Sequence, residues 1–188
     1  MAFQRGFKTW AKTLATEARH DLGLGPLDRL DPVALALSLE IPVIGLSELV
    51  ASTPEVQHLL TVEPEVFSAV TVFKGPSRTV IHNDSHAPAR QVSNIGHELS
   101  HGLLGHPPTP ALDDAGCRVW DQGIENEAAW LSGCLLVTEE FAMTVARGKM
   151  TVQGAALRLG VSTAMINFRV NAVGARKRVS RSRAWSTS

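Results

Sequence analysis

The pentapeptide His97-Glu98-Leu99-Ser100-His101 constrains the fold of this chain more than any other feature of its sequence. Residues four apart lie on the same face of an α-helix, so a helix here would let His97 and His101 bind one cation together. Glu98 lies beside them, where its carboxylate can accept a proton from a metal-bound water. The pattern therefore predicts a helix that carries two metal ligands and a general base.

The residues around the pentapeptide predict a single amphipathic helix. Ser85 is a suitable N-cap, and Gly105 is a suitable residue at the C-terminal end. An apolar stripe lies away from both histidines and is formed by Val92, Ile95, Leu99 and Leu103. We therefore expect the helix to pack on one side and to present its metal ligands on the other.

A hydrolytic zinc site usually has three protein ligands and keeps a fourth position for water. The obvious candidates for the third ligand are Glu125 and Glu127, in a helix predicted at 123–137. Because they are two positions apart on a helix, their side chains point in different directions, and the spacing alone leaves both open. Weaker candidates lie in the preceding loop, namely His106, Asp113 and Asp114. A loop is less able than a helix to hold a ligand in place.

The periodicity elsewhere predicts an α+β fold. Helices are predicted at 4–22, at 32–39 with Asp31 as N-cap, from Thr138 onward, at 151–159, and at 163–172 with Ser162 as N-cap. Strands are predicted at 41–46, 67–74 and 78–82, the last two forming a hairpin whose buried face consists mostly of Val70, Val72, Val80 and Ile81. A small antiparallel sheet is thus expected directly before the helix that carries His97.

The charges are divided unequally along the chain. All 18 acidic residues and 9 of the 18 basic residues lie at or before Glu140, whereas the other 9 basic residues follow it with no acid. The helices predicted at 151–159 and 163–172 lie in this basic segment and are typical of a helix-turn-helix. The segment could face nucleic acid, an acidic protein surface or the acidic body of the chain itself, or could be solvated without a partner.

The composition is that of an ordinary soluble globular protein, with 188 residues, 44% hydrophobic and 19% charged. No apolar run is long enough to span a membrane, and the first twelve residues lack the apolar core of a signal peptide. Cys117 and Cys134 form no C-x-x-C pair and are interpreted as reduced thiols rather than a disulfide. We therefore expect a cytoplasmic protein with no membrane partner.

Three segments together resemble the ImmA/IrrE family of zinc metallopeptidases. They are Ile-Gly-His-Glu-Leu-Ser-His-Gly-Leu-Leu at 95–104, Glu-Asn-Glu-Ala at 125–128 and Leu-Leu-Val at 135–137. The resemblance covers most of the chain and is loosest over the first 60 residues. With the periodicity, it implies a zincin-like helical peptidase domain at 1–137, with the small antiparallel sheet beside the HExxH helix. A basic, helix-turn-helix-like segment would then follow at 138–188.

The resemblance also implies a gluzincin-like ligand set, in which Glu125 joins His97 and His101 on one Zn²⁺ ion per chain. Manganese and iron remain alternatives, because both metals can occupy such sites. The chain departs from the family pattern at Ala129, where the family has Asn or Asp, so a hydrogen bond to a ligating histidine must come from another residue. It departs again at Thr138, where the family often has proline.

The family resemblance implies a metallo-endopeptidase that cleaves a DNA-binding repressor in a stress response or in mobile-element regulation. The chain contains no tyrosine to stabilise the oxyanion, so the donor must be His82, His86, Arg90 or His106, or the zinc ion must act nearly alone. One alternative is a DNA-binding regulator that uses the helix-turn-helix and a structural zinc site. Another is a toxin–antitoxin component that acts through protein binding alone. A structural zinc site would usually have four protein ligands, and Glu98 would then have no role.

Overall fold

The computed structural model describes residues 3–107 and 121–186. In these residues the helices are α1 (Phe7–Asp21), α2 (Pro32–Ser38), α3 (Val56–Thr61), α4 (Pro88–Leu103), α5 (Gln122–Leu136), α6 (Glu139–Ala146), α7 (Val152–Leu159), α8 (Thr163–Ala172) and α9 (Ala175–Ser186). The strands are β1 (Val43–Gly45), β2 (Ala69–Lys74) and β3 (Ser77–His82), and a short 3-10 helix (Leu46–Leu49) follows β1. The α+β fold class predicted from the sequence is confirmed.

The three strands form one mixed sheet in the order β1-β3-β2. β2 and β3 form the predicted antiparallel hairpin, with Lys74 opposite Ser77 at the turn. β1 pairs with β3 in parallel, so the expectation of a purely antiparallel sheet is wrong. The segment between β1 and β2 contains α3 and carries the chain across before the hairpin begins, and this permits the parallel pairing.

The buried face of the hairpin differs from the predicted one. Val80 is 1% exposed and belongs to the hydrophobic core, whereas Val72 is 44% exposed. Successive residues of a strand point to opposite faces, so Val80 and Ile81 cannot share one. Thr71 is paired with Val80 and therefore lies on the core side of the sheet. That side faces α4, where the pentapeptide lies.

The predicted helix starts are largely correct because they depend on local hydrogen bonds. Asp31, Thr138 and Ser162 were each expected at the start of a helix, and each accepts a hydrogen bond from a backbone N–H in the first turn of its helix. Ser85 is the exception, because its hydroxyl donates to Asn83 and α4 begins only at Pro88. Proline suits this first position, because a backbone N–H there would have no hydrogen-bond partner within the helix.

The core is built around the contact between α4 and α5. Leu99 of α4 and Leu131 of α5 are both fully buried in it. Gly96 allows the two helices to approach closely, because a Cβ there would lie 3.1 Å from Ser132 Oγ and 3.3 Å from Leu136 Cδ1. The absence of a side chain directly before His97 thus brings α5 against the helix that carries the histidines.

The hydrophobic core continues from the N-terminal part of the chain into the C-terminal helices. It includes Ala11 of α1, Leu131 of α5, Ile166 of α8 and Ala175 of α9. Glu139, at the start of α6, accepts hydrogen bonds from Lys12 of α1 and Arg178 of α9. Helix α9 was not predicted, because its run of basic residues hides the two buried positions Ala175 and Val179. The division into 1–137 and 138–188 stays a prediction.

In the part of the chain that the structure describes, no single helix is long and apolar enough to cross a membrane. Helices α5 and α6 meet the length and composition requirement only as a pair, and they are bent by 69° at the break between them.

Replacing Leu99 with alanine should destabilise the protein by about 2–5 kcal/mol, since it leaves a cavity in the contact between α4 and α5. Leu157 of α7 is 83% exposed and provides the matched control. The Leu157→Ala variant should change the free energy of unfolding by less than about 0.5 kcal/mol. Denaturant unfolding of the metal-free protein measures both changes, and equal effects of the two substitutions would contradict the placement of Leu99 in the core.

Candidate metal centre

The two histidines of the pentapeptide lie one helical turn apart on α4 and face the same point. Their Nε2 atoms are 3.1 Å apart, and their rings meet edge to face with centroids 4.8 Å apart. Leu99 lies between them in sequence but points into the core, where it is fully buried. α4 therefore packs through one face and presents both imidazoles on another, as the apolar stripe predicted.

Glu125, in the first turn of α5, brings a carboxylate to the two imidazoles. Its Oε2 lies 3.0 Å from His97 Nε2, and its Oε1 lies 3.7 Å from His101 Nε2. Asp121 caps the helix just before it, accepting from the backbone N–H groups of Gly123 and Ile124. In the described residues, one ligand atom from each of His97, His101 and Glu125 lies within 4.8 Å of the other two.

These donors fit a zinc ion. Two ligand atoms of a tetrahedral zinc ion are separated by about 3.4 Å when each is about 2.1 Å from the metal. The separations between the two Nε2 atoms and the Glu125 carboxylate are 3.0, 3.1 and 3.7 Å. Two imidazoles and one carboxylate are also a donor set of catalytic zinc sites, which leave one position open for water or substrate.

The environment of His101 favours the form of histidine that binds metals. Burial, together with the neighbouring rings of His97 and His106, lowers the pKa of His101 to about 4, although the Glu125 carboxylate opposes this change. The imidazole of His101 is therefore neutral near pH 7. Since only a neutral imidazole has a lone pair to offer, metal binding at this ring requires no proton to be displaced.

Glu98 is held by the sheet rather than by its own helix. The hydroxyl of Thr71 in β2 donates a 2.7 Å hydrogen bond to Glu98 Oε2. Burial raises the pKa of Glu98, and the hydrogen bond from Thr71 opposes this change. Thr71 was not singled out from the sequence, although its alternation with Val70 and Val72 places it on the face of β2 that meets α4.

The second carboxylate of the Glu-x-Glu sequence points elsewhere. Glu127 Oε2 lies 3.3 Å from His106 Nε2, and His106 Nδ1 lies 3.0 Å from His101 Nδ1. The structure thus brings Glu125, and not Glu127, to the pair of histidines. His106 reaches the rear of His101 rather than the cluster of ligand atoms. Asp113 and Asp114 lie outside the described residues, as does most of the loop in which the sequence places them.

The four candidate oxyanion donors are held by other parts of the protein. His82 is buried at the end of β3, His86 contacts the carbonyl of Pro64, Arg90 donates to Glu65 and Ser68, and His106 contacts His101 and Glu127. An oxyanion donor among them stays a prediction.

Residues 61–171 match the family model described as the IrrE N-terminal-like domain, Peptidase M78. The chain belongs to this family. The matched segment is more than half of the chain and includes the hairpin, α4 and α5, so the resemblance drawn from the three sequence segments is confirmed. No curated protein and no solved structure matched the chain. Membership of this peptidase family supports a metallopeptidase at the family level, with the cluster of His97, His101 and Glu125 as its candidate metal site.

Replacing Glu125 with alanine should weaken zinc binding by more than about 100-fold. Loss of a residue that only hydrogen-bonds to a metal ligand costs about 10–100-fold in affinity, and loss of a ligand itself should cost more. Zinc affinity is measured by competition with a chromophoric chelator. The matched control is Glu63→Ala, which removes the carboxylate of an exposed His–Glu pair, 2.9 Å from His58 Nε2. Wild-type affinity in the Glu125→Ala variant would exclude Glu125 as a ligand.

Proposed function

We propose that this chain is a zinc-dependent endopeptidase in which His97, His101 and Glu125 bind the metal and Glu98 is the general base. The observation that carries the proposal is the convergence of two Nε2 atoms and one carboxylate beside Glu98. The proposal is supported by the membership of the chain in the Peptidase M78 family. Manganese or iron could bind the same donors, so the metal should be identified in the purified protein by elemental analysis.

The chemistry divides between the metal and the carboxylate of Glu98. When bound, zinc supplies Lewis acidity and lowers the pKa of a coordinated water toward neutrality. Glu98 would act as the general base, accepting a proton from the attacking water, and would then donate that proton to the leaving amine. Thr71 holds the carboxylate in place for this transfer by donating a hydrogen bond to Oε2.

The edge strand β2 supports the binding of an extended peptide beside Glu98. The backbone N–H of Asn83 donates to the carbonyl of Ser68, so this pair is hydrogen-bonded across the hairpin. The N–H of Val80 donates instead to the carbonyl of Pro42, next to β1, and so points away from β2. Antiparallel pairs alternate between hydrogen-bonded and non-bonded positions, so the backbone groups of Ala69, Thr71 and Phe73 point away from β3. A substrate segment could add to this edge as a further strand, with its peptide bonds next to the Thr71–Glu98 contact.

The substrate that we propose is a DNA-binding repressor, as the family resemblance implies. The exposed basic side chains of α9, Arg176, Lys177 and Arg181, offer a surface for an acidic region of such a protein. Part of the basic segment contacts the chain's own acidic residues instead, because Arg178 donates to Glu139.

The alternative of a DNA-binding regulator is less well supported. In a helix-turn-helix the second helix enters the major groove and needs exposed polar and basic side chains. The second helix here is α8, and its one basic residue, Arg169, is 2% exposed. The Arg169 Nε atom donates to the carbonyl of Val137 inside the protein, so this side chain does not reach a phosphate. The proposal of a peptidase is therefore favoured.

The Glu98→Gln variant should retain zinc and lose cleavage by about 10²–10⁴-fold, since the amide keeps the shape of the side chain but cannot accept the proton. The test is co-expression of the chain with a candidate DNA-binding regulator from the same genome, followed by mass spectrometry for a clipped product with a new N-terminus. Glu63→Gln, the same change at an exposed carboxylate, is the matched control and should cleave normally.

Two results would contradict the proposal. Cleavage by Glu98→Gln at the wild-type rate would exclude the role of Glu98 as general base. Function that persists after removal of the metal by a chelator would favour a toxin–antitoxin component acting through binding alone.

A further inference from the structure

The turn at the end of α4 brings His106 back against His101. Gly105 has a φ of +67°, a left-handed conformation that glycine adopts without strain. The backbone N–H of His106 then donates to the carbonyl of His101 at 3.0 Å. This closure holds the His106 side chain in a fixed place, and it is only 9% exposed there.

The side chains of Glu127, His106 and His101 form a continuous line of hydrogen-bonding groups. Glu127 Oε2 lies 3.3 Å from His106 Nε2, and His106 Nδ1 lies 3.0 Å from His101 Nδ1. The other nitrogen of His101, Nε2, points at His97 and Glu125. The line therefore ends on the side of the His101 ring that is opposite the candidate metal.

The protonation pattern of this line follows from the two ends. A carboxylate only accepts hydrogen bonds, so His106 must carry its proton on Nε2 to donate to Glu127. His106 Nδ1 is then an acceptor, and the contact at 3.0 Å requires His101 to carry its proton on Nδ1. This tautomer leaves the lone pair of His101 on Nε2, which is the atom that faces the other two ligands.

We propose that His106 and Glu127 are positioning residues that fix the tautomer and the ring orientation of His101 for metal binding. The inference rests on the proposed metal site. A ligating histidine usually donates its second ring N–H to a carboxylate or carbonyl, and this raises its basicity and sets its angle. Ala129, one turn after Glu125, has no polar group to accept this bond, whereas His106 carries the interaction from His101 to Glu127.

The test measures zinc affinity by chelator competition in the full chain, without any peptide substrate. His106→Ala should weaken zinc binding by about 10–100-fold, the usual cost of losing a partner behind a metal ligand. His106→Asn should recover part of this loss, because the amide oxygen of asparagine can occupy nearly the place of Nδ1. Glu127→Ala should also weaken binding, and by less than His106→Ala, since the His101–His106 contact remains.

The matched controls are His58→Ala and Glu63→Ala. His58 and Glu63 form an exposed His–Glu pair with an Nε2–Oε2 distance of 2.9 Å. The two control substitutions therefore remove the same chemical groups as His106→Ala and Glu127→Ala. Both controls should bind zinc as the wild-type protein does. Zinc affinity could also fall because His106→Ala destabilises the whole protein, and the His106→Asn variant alone would not distinguish these two causes. The free energy of unfolding, measured for the metal-free variants, distinguishes them.

A second readout reports the hydrogen bond itself. In the zinc-loaded protein, ¹⁵N-edited NMR of the imidazoles should show His101 protonated on Nδ1, with a proton that exchanges slowly with water. In His106→Ala this proton should exchange rapidly or its signal should vanish. Unchanged zinc affinity together with an unchanged Nδ1 proton in His106→Ala would overturn the proposal. A protein with these zinc effects that cleaves no regulator would overturn the proposed peptidase function and would uphold the positioning role.

Discussion

The close packing of α4 against α5 is the contact on which the candidate site depends. The spacing of four residues within α4 supplies two candidate ligands, but the third candidate comes from another helix and must be brought to them. Gly96 has no side chain to separate the helices, and Leu99 and Leu131 fill the contact with fully buried side chains. Because both helices are rigid, this packing sets the position of the Glu125 carboxylate relative to the imidazoles.

The features that the sequence predicts well depend on residues close together in the chain. The starts of α2, α6 and α8 follow from Asp31, Thr138 and Ser162, because each side chain accepts a hydrogen bond from a backbone N–H two or three residues later. The direction of His97 and His101 follows in the same way, since the helical repeat alone places both on one face. The hairpin is also local, because its two strands are joined by the short turn at Gly75 and Pro76.

The features that the sequence does not predict depend on contacts between distant segments. The parallel pairing of β1 with β3 is set by the path of the intervening chain, which no local pattern encodes. To choose between Glu125 and Glu127 one must know how α5 is rotated about its axis. To find the contact of Thr71 one must know that the sheet packs against α4. Ser85 shows that a good capping residue can be used elsewhere, because Asn83 draws its hydroxyl into a turn.

The spacing of the two glutamates on α5 gains a physical meaning from these contacts. Residues two apart on a helix are rotated by about 200° about its axis, so one carboxylate cannot replace the other. Glu125 contacts the Nε2 side of His101, whereas Glu127 reaches its Nδ1 side through His106. A single imidazole is thereby held from both of its nitrogens by one helix and one turn. The two carboxylates thus differ in the groups that they contact because of their position on α5, although their chemistry is identical.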